Sequence, residues 1–333
     1  MFIQTRRTWR LGVAACWLMS CLATHLATGQ QLDPLPSWQT GPTKQRIITF
    51  VQAVANPTNQ YYLPPEQRIA VFDNDGTLWT EQPIPQLEFA IDRVKSLAPQ
   101  HPEWQNSQPF KAILENDKAQ MARFTEQDWL RVIFTTHANL TTDQFAQVVR
   151  EWIACAQEPR FGRRYTELVY QPMLELLAYL RANGFKLFIV SGGTTDFMRV
   201  WAPEVYGIPP EQIVGSSLKL KYEMRGGRPE LVVLPGVDFI DDKAGKPVGI
   251  HKYIGRRPVL AVGNSDGDLQ MLQWTALGSG LRLALIIHHT DAQREYAYDR
   301  GATQALQAAK RNGWLVVDMK ADWRVVYPFE YQR

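Results

Sequence analysis

The chain has 333 residues, 45% of them apolar and 21% charged. That is enough for the core of one large domain plus an insertion or a second small domain, and it excludes a disordered or fibrous protein. The formal net charge is +3. Arg6, Arg7 and Arg10 lie in an N-terminal stretch without acids, so the rest is balanced and has no basic stripe of the kind that binds nucleic acid.

Residues 1–29 have the pattern of a secretory signal peptide: arginines, an apolar run from Leu11 to about Leu26, then Ala27-Thr28-Gly29 before Gln30. Leu18-Met19-Ser20-Cys21 offers a lipobox-like alternative that would leave a lipid on Cys21. The run is short for a bilayer span and contains Thr24 and His25. The expectation is therefore an exported protein, periplasmic or secreted, with no membrane span in the mature chain. Cys16 and Cys21 fall in the leader, so Cys155 is alone after cleavage near Gly29 and reads as a packing residue on a helix.

Thr43 to Ala55 predicts an amphipathic helix, with Ile47, Ile48, Val51 and Val54 at helical spacing, and Pro64-Pro65 closes the loop after it. The strongest signal follows. Ile69, Ala70, Val71 and Phe72 suit a strand covered on both faces, and the run stops on Asp73-Asn74-Asp75, with Gly76 permitting a tight exit. An Asp-x-Asp pair at a strand's carboxyl end suits phosphoryl transfer, because one carboxylate can attack while the other shuttles a proton. The same residues also suit an ordinary turn.

From Leu78 to about Phe185 the pattern predicts helices only: Gln86 to Leu97, Pro109 to Ala122, Glu126 to Thr135, Thr142 to Ala156 and Thr166 to Ala182, the last stopped by Asn183-Gly184. An insertion of roughly a hundred residues is too long for a simple crossover in a parallel sheet. Residues 78–185 are therefore expected to form a mainly helical cap, and residues 30–77 and 186–333 an α/β core.

Sheet-like runs return at Lys186 to Val190, Gln212 to Gly215, Pro258 to Val262, Arg282 to Ile287 and Trp314 to Val317, with helical segments between several of them, as in a doubly wound parallel sheet. Leu218 to Tyr222 and Glu230 to Leu234, around Arg225-Gly226-Gly227-Arg228, predict a β-hairpin.

Three more strand ends or helix starts carry chemistry. Leu187 to Val190 delivers Ser191-Gly192-Gly193, where a hydroxyl and backbone N–H groups can cradle phosphate. Lys243-Ala244-Gly245-Lys246-Pro247 places Pro247 in the first turn of a short helix and offers two lysines, of which Lys246 suits a position beside the strand ends better than Lys243. Val259 to Val262 leads into Gly263-Asn264-Ser265-Asp266-Gly267-Asp268.

In this order the motifs resemble those of the haloacid dehalogenase (HAD) superfamily, specifically its phosphoserine-phosphatase-like members, over roughly Ile69 to Leu272. The resemblance implies a Rossmann-like core with a helical cap of the C1 type inserted after the first strand. It implies that Asp73 is the nucleophile and Asp75 the proton shuttle. Thr77, Ser191 and Gly192 would bind the phosphoryl group, and Lys246 would neutralise charge shared by that group and Asp73. Mg2+ would sit on Asp73, the Asp75 carbonyl and Asn264, with Asp268 completing the shell and bracing Lys246. The family usually has Asp where this chain has Asn264, and Asp266 is an alternative ligand. Glu81 lies one residue nearer the motif than the acid with which phosphoserine phosphatases hold the substrate amine.

The implied function is a Mg2+-dependent phosphomonoesterase acting on a small phosphorylated metabolite through an aspartyl-phosphate. A phosphotransferase with the same intermediate and a non-catalytic phosphate-binding protein are the alternatives. Substrate choice is expected from the cap and from the loop holding Trp79 and Glu81; Arg123 and Arg131 of the cap could bind a substrate carboxylate but read better as surface charges on or beside helices, while His288 and His289 read as buried or capping residues.

Overall fold

The computed structural model describes residues 33–332; the expected signal peptide, with its cleavage and lipidation alternatives, lies outside them. Helix α1 (Pro42–Ala55) precedes strand β1 (Ile69–Phe72), whose four side chains are all buried. Ala70 and Phe72 enter the core on one face of the sheet, and Ile69 and Val71 the core on the other. This two-sided burial is why the strand reads as an unbroken apolar run.

Helices α2 (Pro85–Leu97), α3 (Phe110–Leu114), α4 (Lys118–Met121), α5 (Glu126–His137) and α6 (Thr142–Cys155) follow. The expected single helix over Pro109 to Ala122 is two. Asn116 adopts a left-handed φ of 55°, and the Asp117 side chain accepts from the Gln120 N–H to start α4 afresh. Ile91, Val94, Trp104, Phe110, Ile113 and Val132 form a small core of their own among α2, α3, α5 and the turn at Trp104.

Strands β2 (Gln157–Glu158) and β3 (Arg163–Arg164) pair antiparallel within the stretch expected to hold helices only. Two residues apiece leave no legible alternation. Helix α7 (Gln171–Ala182) starts later than the expected Thr166, because Pro172 fits a first turn and Tyr165–Glu167 forms a separate 3₁₀ turn.

Strand β4 (Lys186–Thr194) leads to α8 (Thr195–Tyr206). Then come β5 (Ile213–Arg225) and β6 (Arg228–Phe239), α9 (Gly245–Gly249), β7 (Leu260–Gly263), α10 (Leu269–Ala276), β8 (Leu283–His288), α11 (Thr303–Asn312), β9 (Leu315–Asp318) and α12 (Met319–Asp322). The runs expected as a separate strand at Gln212 to Gly215 and a hairpin arm from Leu218 are one strand, continuous through a bulge at Ser217 and Leu218.

The sheet order is β6-β5-β4-β1-β7-β8-β9, parallel except for β6. The chain passes from β1 to β4 on one side and later to β7 on the other. This puts the topological switch, where ligands bind in open α/β sheets, at the carboxyl end of β1. Beyond the sheet, the β5–β6 hairpin reaches the α5–α6 connection, where Val233 exchanges backbone hydrogen bonds with Asn139 and Leu140. Among the described residues no helix is long and apolar enough to cross a membrane.

Candidate active site

The ends of β1, β4 and β7 deliver Asp73, Ser191 and Asn264 to one place, and α9 brings Lys246 between them. The Lys246 Nζ donates to Asp73 Oδ1 and Asp268 Oδ1, each at 2.6 Å, and to the Val190 carbonyl at 3.0 Å. It is 2% exposed, and its ammonium is held well above its ordinary pKa by the two carboxylates, which outweigh the opposing effect of burial. Lys243, the rival in sequence, is exposed, has a φ of 51°, and contributes its backbone N–H to the Gly267 carbonyl.

Asp268 spends its second oxygen, Oδ2, on the N–H groups of Asn264 and Ser265 at 2.9 and 3.0 Å. Its buried carboxylate thus ties the β7 turn to the lysine. Asp266 points elsewhere, its Oδ1 accepting from the Ala305 N–H at 2.8 Å and so holding α11.

Asp75 is oriented by Trp79, whose indole N–H donates to Asp75 Oδ1 at 2.7 Å. Trp79 is fully buried and stacks on Trp201 with ring centroids 4.1 Å apart. Its place is therefore in the core beneath the acid rather than on a substrate-facing loop. Between them Gly76 makes the turn with φ +72°, and a Cβ there would fall 2.1 Å from Asn264 Nδ2, so both the conformation and the space demand glycine.

Asn264 is buried and used from both ends of its amide. Thr77 Oγ1 donates to Asn264 Oδ1 at 3.2 Å, and Asn264 Nδ2 donates to Glu81 Oε1 at 2.9 Å. The structure thus brings Thr77, Glu81 and Asn264 together beside Asp73 and Asp75.

On the β4 side Ser191 is buried, and its Oγ accepts from the Gly193 N–H at 3.1 Å, while Gly192 is open to solvent. Gln86 of α2 locks the end of this loop, donating to Thr194 Oγ1 at 2.6 Å and accepting from the Thr194 N–H at 2.8 Å. No sequence motif marks Gln86, and its role follows from the start of α2 lying beside Thr194 at the end of β4.

Two further contacts position the turn after β1. The Asn74 side chain accepts from the Tyr206 hydroxyl at 3.2 Å. His289, read as buried or capping, is buried; its Nε2 donates to the Gly76 carbonyl at 2.8 Å, and its Nδ1 lies 3.2 Å from Glu295 Oε2. Glu295 also accepts from the Thr80 and Tyr170 hydroxyls at 3.3 and 3.1 Å, so a fully buried carboxylate supports the loop after Asp75. It lies more than two hundred residues downstream of that loop, beyond any local pattern.

Acids outnumber bases here. Asp73, Asp75, Glu81 and Asp268 converge around the single ammonium of Lys246. Burial pushes Asp75 up to about 6 and Glu81 up to about 7; it also holds Asp73 well above the usual carboxylate range, helped by Asp268. Asp241, beside the lysine, is pushed by burial up to about 7. Such a site suits a cation, whose charge would offset carboxylates that burial otherwise drives towards protonation. Among the described residues no three His, Cys, Asp or Glu side chains cluster as a metal cage. A cation would depend on a mixed oxygen set of carboxylate, carbonyl and amide, which suits a hard ion such as Mg2+.

Arg131 is not part of this constellation. It donates to the Gln108 carbonyl at 2.7 Å and lies 5.4 Å over the Phe110 ring.

The fold is shared with solved structures. A conserved, functionally unknown protein from Anaerococcus prevotii superposes with a TM-score of 0.51 at 17% identity, covering 82% of this chain and 90% of that one. A protein of unknown function from Bordetella pertussis gives a TM-score of 0.47 at 15% identity, covering 76% and 99%. A phosphoserine phosphohydrolase-like protein from Francisella tularensis gives 0.40 at 17%, covering 72% and 92%. No protein with a curated description matches the sequence. The sequence model of the haloacid dehalogenase-like hydrolases matches residues 70–273, from β1 through the acids after β7 into α10. With its paired acids after the central strand and its buried lysine at the switch point of the sheet, the chain belongs to the haloacid dehalogenase-like hydrolase family.

Proposed function

We propose that this hydrolase is a Mg2+-dependent phosphomonoesterase that works through an aspartyl-phosphate. The observation that carries this reading is the division of labour between the two acids of the first motif. Asp73 is held by Lys246 through Oδ1 alone, and Asp75, two residues on, is turned a different way by Trp79.

In the first step Asp73 attacks phosphorus, the P–O ester bond breaks, and protonated Asp75 gives its proton to the departing alcohol oxygen. In the second step Asp75 takes a proton from water, whose oxygen attacks phosphorus and releases phosphate and the free Asp73 carboxylate. Ser191 and Gly192 bind phosphoryl oxygens, and Lys246 offsets charge on Asp73 and the transferring group, the kind of preorganised stabilisation on which phosphoryl transfer depends. Asp73, the Asp75 carbonyl and the Asn264 side-chain oxygen would hold Mg2+, with Glu81 alongside. When bound, the ion would neutralise phosphoryl charge. Asp268, both oxygens engaged, acts as the brace of Lys246.

In the same reading residues 78–185 act as a cap over the site, and the chain is exported by its leader. Hydrolysis of p-nitrophenyl phosphate by the purified mature chain, with Mg2+ and with EDTA, tests the activity; no release in either condition would refute it.

A further inference from the structure

Beside the phosphate loop lies a cavity of about 420 Å³, within the size range of small-molecule sites. Gly192, Thr194 and Asp242 form its floor, Leu130 and Ile133 of α5 one wall, and Leu218, Val237 and Phe239 of the β5–β6 hairpin the other. The reacting groups do not line the cavity but border it across Gly193, which lies between Gly192 and Thr194 and where an added Cβ would also lie 3.0 Å from Oε1 of Gln86, a lining residue. A Cβ placed on Gly193 would lie 3.4 Å from Ser191 Oγ and 3.7 Å from Asp75 Oδ2, and one on Gly192 would lie 3.7 Å from Asp242 Cβ. An ester held at Ser191 and Gly192 therefore has this cavity beside its alcohol half, on the side where Asp75 supplies the proton.

The walls are mainly apolar, with Gln86, Ser216 and Ser217 as neutral polar lining, and among the described residues lining the cavity there is no lysine, arginine or histidine; the charged ones are Glu126 and Asp242. Ile240, also part of the lining, is 45% exposed and so presents an apolar side chain at its opening. A carboxylate or second phosphate on the alcohol would leave water to face apolar walls and two like charges with no counter-charge, which selects against it. Burial of an alkyl or aryl body costs no such desolvation.

We infer, resting on the phosphomonoesterase reading, that the cavity takes the alcohol half of the substrate, and that the enzyme prefers monoesters of apolar alcohols bearing no second anion. The long hairpin, rather than the helical stretch alone, then sets specificity. This assigns Leu130, Ile133 and Leu218 as the residues that choose the substrate.

The matched pair 4-methylphenyl phosphate and 4-carboxyphenyl phosphate, with 1-naphthyl phosphate and phosphoserine beside them, tests this on the full mature chain with Mg2+. The carboxylated phenolate is the better leaving group, so chemistry alone favours that ester. The inference expects kcat/KM for the methyl and naphthyl esters to exceed that for the carboxylated ester and phosphoserine by at least about tenfold, mostly through KM. Leu130→Arg is expected to lower kcat/KM for 1-naphthyl phosphate and raise it for 4-carboxyphenyl phosphate. If that variant fails to fold, the comparison on the unaltered protein still decides. Equal or better turnover of 4-carboxyphenyl phosphate or phosphoserine overturns the inference and leaves the phosphatase reading standing. No turnover of any ester overturns both.

Discussion

The Asn264 amide donates to the Glu81 carboxylate at 2.9 Å, so the anion missing at position 264 reappears on the neighbouring side chain. Read alone, Asn264 leaves a Mg2+ site one charge short, and Asn264→Asp should tighten it. With Glu81 in contact, an aspartate at 264 would lose a hydrogen bond and meet a like charge. Two charges about 4 Å apart interact by roughly 4 kcal/mol even at a protein-like dielectric. Glu81→Gln is expected to weaken Mg2+ binding by about tenfold or more, and the double variant Glu81→Gln, Asn264→Asp to restore most of it. Calorimetric titration of the metal reads this without turnover; an unchanged Kd in Glu81→Gln would show that its charge does not reach the ion.

Asp73→Asn is expected to abolish turnover with an unaltered circular dichroism spectrum, because the side chain lies past the end of β1 and outside the hydrophobic cores. Asp75→Asn should slow hydrolysis by about 10²- to 10⁴-fold, the usual worth of a proton shuttle. The loss should be larger for alkyl than for activated aryl phosphates, whose leaving groups need no proton. Substantial activity in Asp73→Asn would rule out the covalent route, and equal losses on both ester types would remove Asp75 as the acid.

Much of this site was legible because each motif ends an apolar strand. The runs before Asp73, Ser191 and Asn264 identify themselves by composition, and an open sheet puts such ends side by side. Pro247 points to Lys246 rather than Lys243, and the structure buries Lys246 and exposes Lys243. What stayed hidden depends on tertiary packing. Gln86, Tyr206 and Glu295 reach the site from separate helices and loops, and a lone polar residue on an amphipathic segment gives no sign of what it faces. The position of Trp79 just after the motif suggests a substrate-facing loop, whereas its bulk belongs to the core and its indole N–H serves Asp75.

Lys246 is expected to matter to the fold as well as to the chemistry. Removing it leaves Asp73 and Asp268 buried without their counter-ion, and breaking such a group from one side typically costs about 3–5 kcal/mol. Lys246→Met should lower the urea midpoint accordingly, and adding Asp268→Asn should recover part of the loss by removing one stranded charge. A midpoint equal to that of the unaltered protein would mean that the acids simply take up protons and the ammonium is dispensable for stability.

The raised acids also set how the metal-free protein responds to pH. Asp75, at about 6, and Glu81 and Asp241, at about 7, keep their protons in the fold well above the ordinary carboxylate range near 4. Between about pH 4 and 7 the folded state therefore binds more protons than the unfolded one, and stability falls as pH rises through that window. Buried His137 opposes this: burial lowers it to about 3, so below its ordinary value the unfolded chain takes up a proton that the fold refuses. One histidine against three acids leaves the net slope negative. Thermal unfolding in EDTA should show a lower Tm at pH 7.5 than at pH 5, with the drop reduced in Glu81→Gln. A cation favours the ionised acids, so Mg2+ should raise Tm more at pH 7.5 than at pH 5. A Tm that climbs from pH 5 to 7.5 without metal, or a Mg2+ shift of equal size at both, would show that these carboxylates are not held protonated in the fold.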